Sequence, residues 1–401
     1  MNILWVKVGG LWPLDTGGRL RTFHIVSELA REHRVTLMTT HRSGESAEAL
    51  RDQLAHCEAV VSFPHDPPKQ GAPGFRRAVL ASWLSPLPVD LHKWRVPALR
   101  ADVARRLAGG ETDLCVADFL YTTPSVPLDG PVPTVFFDHN VEHVIWQRLA
   151  RVERRPWRRA LLALEWRKVR RAEARACAQA RLTLAVSEVD RALLEACAPG
   201  AAIRAIPTGV DTAFFTPGGT RETPLSLVFT GSMDWYPNED AMLHFMESVL
   251  PAVRERLPAA SLTIVGRQPS ARLRAAAATA GATVTGNVDD VRPYVAAASL
   301  FVVPLRVGGG TRLKIFEALA MGKAVVSTGV GAEGLPLTSG THFLRADTPA
   351  ELTGAVLTLL GDPVRRKSLG AAGRRLVEER FAWPRVAREF AARCGEAARA
   401  A

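Results

Sequence analysis

The chain has 401 residues, 47% of them hydrophobic, enough for two or three domains with buried cores and too much for a lone small binding module. Its 31 Gly and 27 Pro are spread along the length, which argues against a disordered, fibrous or repetitive class. Lys and Arg outnumber Asp and Glu by 51 to 40, and the resulting +11 suits phosphates, nucleic acid or acidic lipid headgroups, or an Arg-rich surface without function.

From the start, Ile3 to Val8 reads as a buried strand and 9 to 18 as a loop; Leu20, Phe23, Val26, Leu29 and Ala30 then recur at helical spacing. Val35 to Thr39 returns to strand, completing a βαβ unit. Further strands are expected at Ala59 to Phe63, Leu114 to Ala117, Thr134 to Phe137 and Leu182 to Val186, the alternation of a parallel α/β sheet. Ile203 to Pro224, with IPTGVD and TPGGTRETP, has the Gly, Pro and Thr density of a connection between domains. Beyond it the pattern restarts. Strands are expected at Leu225 to Thr230, Ser261 to Val265, Leu300 to Leu305 and Ala324 to Ser327, with helices at Asn238 to Leu250, Ala271 to Ala280 and Arg312 to Met321. The expected domains are therefore residues 1–205 and 206–384, with the last helix, 385–401, crossing back onto the first.

The five cysteines, Cys57, Cys115, Cys177, Cys197 and Cys394, are odd in number and form no CxxC or Cys/His pattern, so neither a disulfide framework nor a zinc site is indicated, and a reducing cytoplasm fits. MNILWVKVGG is too short for a signal peptide, and no apolar run reaches the roughly 18 residues of a spanning helix. A soluble or membrane-peripheral protein is expected.

In open parallel sheets ligands sit beyond the carboxyl ends of the strands, so chemistry is sought in the loops after Val8, Phe137, Thr230, Val265 and Leu305. PLRVGGGTRLKIFEALAMG places three glycines between a strand and a helix, where backbone N–H groups and the helix dipole receive an anion. Gly309, Gly310 and Thr311 would cradle a phosphate, Thr311 capping the helix. Lys314 and Glu317, three apart, project from one face. For a nucleoside diphosphate sugar, Lys314 and Arg306 would neutralise the leaving group while Glu317 binds ribose hydroxyls, with no metal required. The plain alternative is an amphipathic helix with a surface Lys–Glu pair, which leaves the glycines unexplained.

The chain resembles the family 4 glycosyltransferases, which have the two-domain GT-B fold. The similar pieces are DTGGRLRTFHIVSELA at 15–30, AVSEVDRALL at 185–194, IPTGVDTAFFTP at 206–217, GTRLKIFEALAMGKAVVST at 310–328 and GAEGL at 331–335. The resemblance implies an α/β fold of two Rossmann-like, doubly wound domains facing each other across a cleft. It implies transfer of a hexose-type sugar with retention of configuration, the departing diphosphate accepting the acceptor's proton, so no enzymic nucleophile is nominated. It also implies donor contacts at Gly17 and Gly18 and an active-site role for His139, which orients the sugar or stabilises charge. By itself the GG pair is equally a tight turn, and Arg19 and Arg21 are phosphate contacts or first-turn surface residues. His139 and His143 lie four apart, but without a third convergent ligand no metal site is assigned. Gly266, Arg267 and Val288, in loops on one sheet edge, would surround the nucleobase, whose identity stays open, and Gly231 is a further expected donor contact.

Two positions depart from the family's pattern. The first of its two donor-loop glutamates falls at Gly309, and the Arg and Lys of an earlier loop are replaced by Met233 and Asn238, leaving Arg306, Arg312 and Lys314 to meet the phosphates. Residues 151–175 hold ten Lys or Arg and three Glu with Trp157 and Trp166, a basic amphipathic surface for anionic lipid, a solvated helix or, without any accompanying motif, nucleic acid. The expected partners are a nucleotide sugar and a glycan or lipid-linked acceptor, on the cytoplasmic side of a membrane or free of it, and no nucleic acid. The competing readings are a nucleotide-sugar epimerase of the same fold and a regulator that binds sugar nucleotide without turnover; GGLWPLDTGGR does not match the GxGxxG of an NAD dehydrogenase.

Overall fold

The computed structural model describes residues 1–12, 14, 16–45, 47–68, 73–153, 155–308 and 313–399. It divides into two compact units, Met1–Pro207 with Pro384–Ala401, and Thr208–Trp383.

In the first unit the strands are β1 Asn2–Lys7, β2 Arg34–His41, β3 Ala59–Pro64, β4 Leu114–Asp118, β5 Thr134–Asp138, β6 Leu182–Ala185 and β7 Ile203–Ala205. They pair in parallel in the order β3-β2-β1-β4-β5-β6-β7. Parallel strands are covered on both faces, and β4 and β5 are buried at every position. One face packs Val6, Ala117 and Phe136 with Leu99 and Val103 of the helix Pro97–Ala108. The opposite face presents Trp5 and Phe137 to Phe390 of the helix Trp383–Arg399, at ring-centroid distances of 5.2 and 5.0 Å. Because adjacent strand residues point to opposite faces, both contacts follow from one register.

The second unit has β8 Ser226–Thr230, β9 Ser261–Val265, β10 Thr283–Val284, β11 Leu300–Val303, β12 Val325–Ser327 and β13 Leu344–Arg345, all parallel, in the order β10-β9-β8-β11-β12-β13. Phe229, Phe245, Phe301 and Phe316 are fully buried in its core.

The sequence reading is corrected at three places. Ile203–Ala205, assigned to the connection, is the edge strand β7, with Ile203 buried against the core. The helix expected from 238 to 250 is two helices, Tyr236–Ser248 and Leu250–Arg256, with Pro251 in the first turn of the second. Of the basic run, Lys168, Glu165 and Glu173 are not surface charges. They are buried on the inner face of the helix Pro156–Gln179. There Lys168 Nζ donates to Ser82 Oγ at 3.2 Å and Glu165 accepts from the backbone N–H of Val89.

Candidate active site

Both sheets reverse their strand order at one place, between β1 and β4 and between β8 and β11, and the crevice outside such a switch point is where α/β sheets bind ligands.

At the second switch point β8 ends in Thr230 and the chain turns through Gly231. Asn238, in the first turn of the helix Tyr236–Ser248, donates through Nδ2 to Ser232 O at 2.8 Å, so its Oδ1 faces the other way. That oxygen accepts from Lys314 Nζ at 2.9 Å, and the ammonium sits 4.1 Å from the Phe229 ring centroid. The lysine is thereby held by a charge-assisted hydrogen bond and a cation–π contact. Gly231 is required by this packing, because a Cβ there would lie 2.6 Å from Lys314 Nζ and 2.7 Å from Asn238 Nδ2. Gly266 is required in turn, since its Cβ would lie 1.7 Å from Gly231 O. The two loops are laced by Gly231 N–H to Val265 O and Met233 N–H to Arg267 O, each 2.9 Å.

One turn along the helix Leu313–Ala320, Glu317 is half-buried and its carboxylate has no hydrogen-bond partner among the described residues. Burial raises its carboxyl to about 7, against the opposing pull of Lys314. A cation fixed at the strand end beside an acceptor with open lone pairs matches a phosphate next to a diol.

Arg306, expected at the diphosphate, pairs with Asp240, Nε and Nη2 donating at 3.0 and 2.6 Å. Val288 packs its side chain on the core of the second unit, so its role is structural first. Gly309, Gly310, Thr311 and Arg312 lie outside the described residues.

In the first unit the switch point is organised by Asp118, the last residue of β4 and the register partner of Lys7. Its fully buried carboxylate accepts from Trp5 Nε1 at 2.8 Å, Lys7 Nζ at 3.0 Å and Thr22 Oγ1 at 2.6 Å, and His139 Nε2 lies 3.0 Å from Oδ1. Burial opposes ionisation, but Lys7, His139 and Thr22 together hold this carboxyl well below the usual carboxylate range. Next to a carboxylate, Nε2 carries the imidazole proton. Burial lowers the His139 pKa to about 4 despite Asp118, so the ring is neutral at physiological pH. It is clamped by Phe137 and Phe119, at ring-centroid distances of 4.4 and 5.6 Å.

Phe119 has φ 78° and ψ 151°, a backbone region normally reserved for glycine that costs about 1–3 kcal/mol. Its N–H donates to Phe137 O at 2.8 Å, which ties the strained residue to the strand that carries His139. No sequence signal marks that strain.

Gly17 opens the helix Gly17–Leu29 behind the N-cap Thr16. Gly18 backs the histidine, for a Cβ there would lie 3.4 Å from His139 Nδ1. Arg21 is not a surface residue. It is buried, with Asp118 and Asp190 as its anionic neighbours, while Arg19 Nη2 donates to Gly9 O at 3.2 Å. His139 and His143 do not converge, since the helix Glu142–Val152 begins between them and His143 Nδ1 contacts Glu173.

Two doubly wound parallel units in one chain, each with polar groups fixed at its switch point, define the GT-B class of folds. Solved structures agree. Sucrose-phosphate synthase from Thermosynechococcus elongatus superposes with a TM-score of 0.73 over 100% of both chains at 17% identity. HepE of Anabaena, solved in complex with UDP and glucose, gives 0.66 over 99% of this chain and 100% of its own at 15% identity. Residues 16–214 match the description glycosyltransferase family 4, and residues 224–362 match glycosyl transferases group 1. The chain belongs to glycosyltransferase family 4. Among curated relatives, a GDP-mannose-dependent monoacylated alpha-(1-6)-phosphatidylinositol monomannoside mannosyltransferase of Corynebacterium glutamicum is 28% identical over 205 residues, 44% of this chain and 52% of that protein. The chain thus spans about half the length of the curated relatives it matches.

Proposed function

We propose that the protein transfers a hexose from a nucleoside diphosphate sugar to a lipid-linked or glycan acceptor, with retention of configuration and without a metal. The observation that carries this reading is the Lys314 ammonium held by Asn238 over Phe229, one helical turn from the open carboxylate of Glu317. In this reading Lys314 stabilises the charge that develops on the departing diphosphate, and Glu317 accepts from the ribose hydroxyls. Neutral His139, locked by Asp118 and two aromatic rings, orients the sugar. The named activity of the corynebacterial relative favours GDP-mannose as donor and a phosphoinositide-type acceptor.

A lipid acceptor is supported by the outer surface of the first unit. Trp157, Leu161 and Leu164 form an exposed stripe at helical spacing on Pro156–Gln179, and Ile145 and Leu149 form another on Glu142–Val152. Leu84, just beyond the helix Pro73–Trp83, is 93% exposed. Arg158 and Arg159 fall between Trp157 and Leu161, with Arg151 and Arg155 just before, the composition of a helix lying on the anionic cytoplasmic face of a membrane.

The test is to incubate the chain with GDP-mannose, UDP-glucose and ADP-glucose over vesicles carrying phosphatidylinositol, and to assign the anomeric configuration of the product by NMR. An α-linked glycolipid from one donor supports the reading. Free epimerised sugar without acceptor, or nucleotide binding without turnover, would overturn it.

A further inference from the structure

Beside the His139 site lies a second cluster that plays no part in the transfer just described. Asp138 ends β5, one residue before His139. Its carboxyl is buried, with the backbone N–H of Asn140 beside it. The charges that weigh on it most are carboxylates, Glu173, then Glu142, then Asp190, and with burial they push its carboxyl well above the usual range. Asp190 has Arg21 as a cationic neighbour, and Glu142 accepts from Tyr121 OH at 2.9 Å. Asp138 and Glu173 are thus neighbouring buried carboxyl groups, a negative surrounding for any cation held beside them.

The side chains around that pair are metal donors. His143 in the first turn of Glu142–Val152, Glu173 on Pro156–Gln179 and Cys197 at the end of Glu188–Cys197 bring an imidazole nitrogen, a carboxylate oxygen and a thiol sulfur within 4.8 Å of one another. Glu173 Oε1 accepts the backbone N–H of Glu142 at 2.8 Å, an outer bond of the kind that fixes a metal ligand's orientation. Its Oε2 is in close contact with His143 Nδ1. Mixed nitrogen, sulfur and carboxylate donors select zinc over magnesium or calcium.

We propose that His143, Glu173 and Cys197 form a structural site for a divalent ion of the zinc class, with solvent completing its coordination. The half-exposed Cys197 gives the ion its entry path. On coordination its thiol gives its proton to solvent and binds as thiolate. The ion staples three helices of the first unit together. This inference is independent of the donor site in the second unit.

The full chain, stripped with chelator, is titrated with Co²⁺ and then with Zn²⁺. One equivalent of Co²⁺ should bind with a thiolate-to-cobalt charge-transfer band that Zn²⁺ abolishes, and Cys197→Ser should lose the band and bind at least tenfold more weakly. No saturable cobalt binding by the unaltered chain, a spectrum without the thiolate band, or a band that survives in Cys197→Ser would each overturn the site. The cobalt titration of the unaltered chain decides the matter even if the variant fails to fold, and a failed sugar-transfer assay leaves it untouched.

Discussion

Gly231→Ala tests the donor-site geometry with a single methyl group. The new Cβ would sit 2.6 Å from Lys314 Nζ and 2.7 Å from Asn238 Nδ2, so both must give way, the freer one further. Asn238 is held at both ends, by Ser232 O and by the lysine, whereas Lys314 is the far end of a flexible stem. The lysine should therefore swing away. If its ammonium retreats from about 4 to about 6 Å from a phosphate charge, Coulomb's law at an effective dielectric near 20 loses about 1.4 kcal/mol, a tenfold fall in affinity. Isothermal titration with a nucleoside diphosphate reads that fall directly, and urea unfolding should show a loss of about 1–3 kcal/mol from the overpacking, with the variant still folded. Affinity within twofold of the unaltered protein, in a folded variant, would refute the placement of Lys314 at the phosphate.

Glu317 titrates near 7 folded against 4.5 unfolded, so the folded state holds more protons between those values and stability falls as the pH rises through that window. Glu317→Gln should accordingly melt higher than the unaltered chain at pH 8, with the difference vanishing near pH 4, yet bind donor at least tenfold more weakly; equal melting curves at pH 8 would contradict the buried carboxylate. Asp118→Ala removes the anion beneath Lys7, Trp5, Thr22 and His139 and should cost about 3–5 kcal/mol in urea unfolding at pH 7. Because the folded Asp118 pKa is depressed, that contribution is present above the unfolded pKa near 4 and fades as the pH falls below it. His139→Ala should lower kcat/KM by about 10²–10³. The unaltered enzyme should show no histidine limb near pH 6.5, since burial keeps the ring neutral down to about 4. Replacing Trp157, Leu161 and Leu164 together with Ser should abolish sedimentation with anionic vesicles while leaving the melting temperature within a few degrees.

The strands that carry the sites were legible because each is a continuous apolar run, and β9 is found where the pattern puts it, at Ser261–Val265. Glycines next to strand ends gave the loops. What was not legible is pairing at a distance. Asn238 reads as a lost phosphate contact, yet 76 residues apart it is the group that positions Lys314. Arg306 reads as a phosphate ligand, but nothing local announces that Asp240 will take it. Asp118 carries no motif; its importance arises only when β1, β4 and the helix Gly17–Leu29 converge on one carboxylate. Short edge strands such as Thr283–Val284 and Leu344–Arg345 are too brief for any period to show and exist because a neighbouring strand offers them a ladder. The basic run misled for a related reason: charge marks a helix as exposed, while Lys168, Glu165 and Glu173 are drawn inward by backbone and side-chain partners from other helices.

The central claim is that the second unit grips a nucleoside diphosphate sugar through Lys314 and Glu317. The most direct measurement is transfer of labelled sugar by the full chain beside Lys314→Ala and Glu317→Ala, each first shown to unfold in urea like the unaltered protein. Each variant should lose at least a hundredfold in kcat/KM. Full transfer by both folded variants would contradict it.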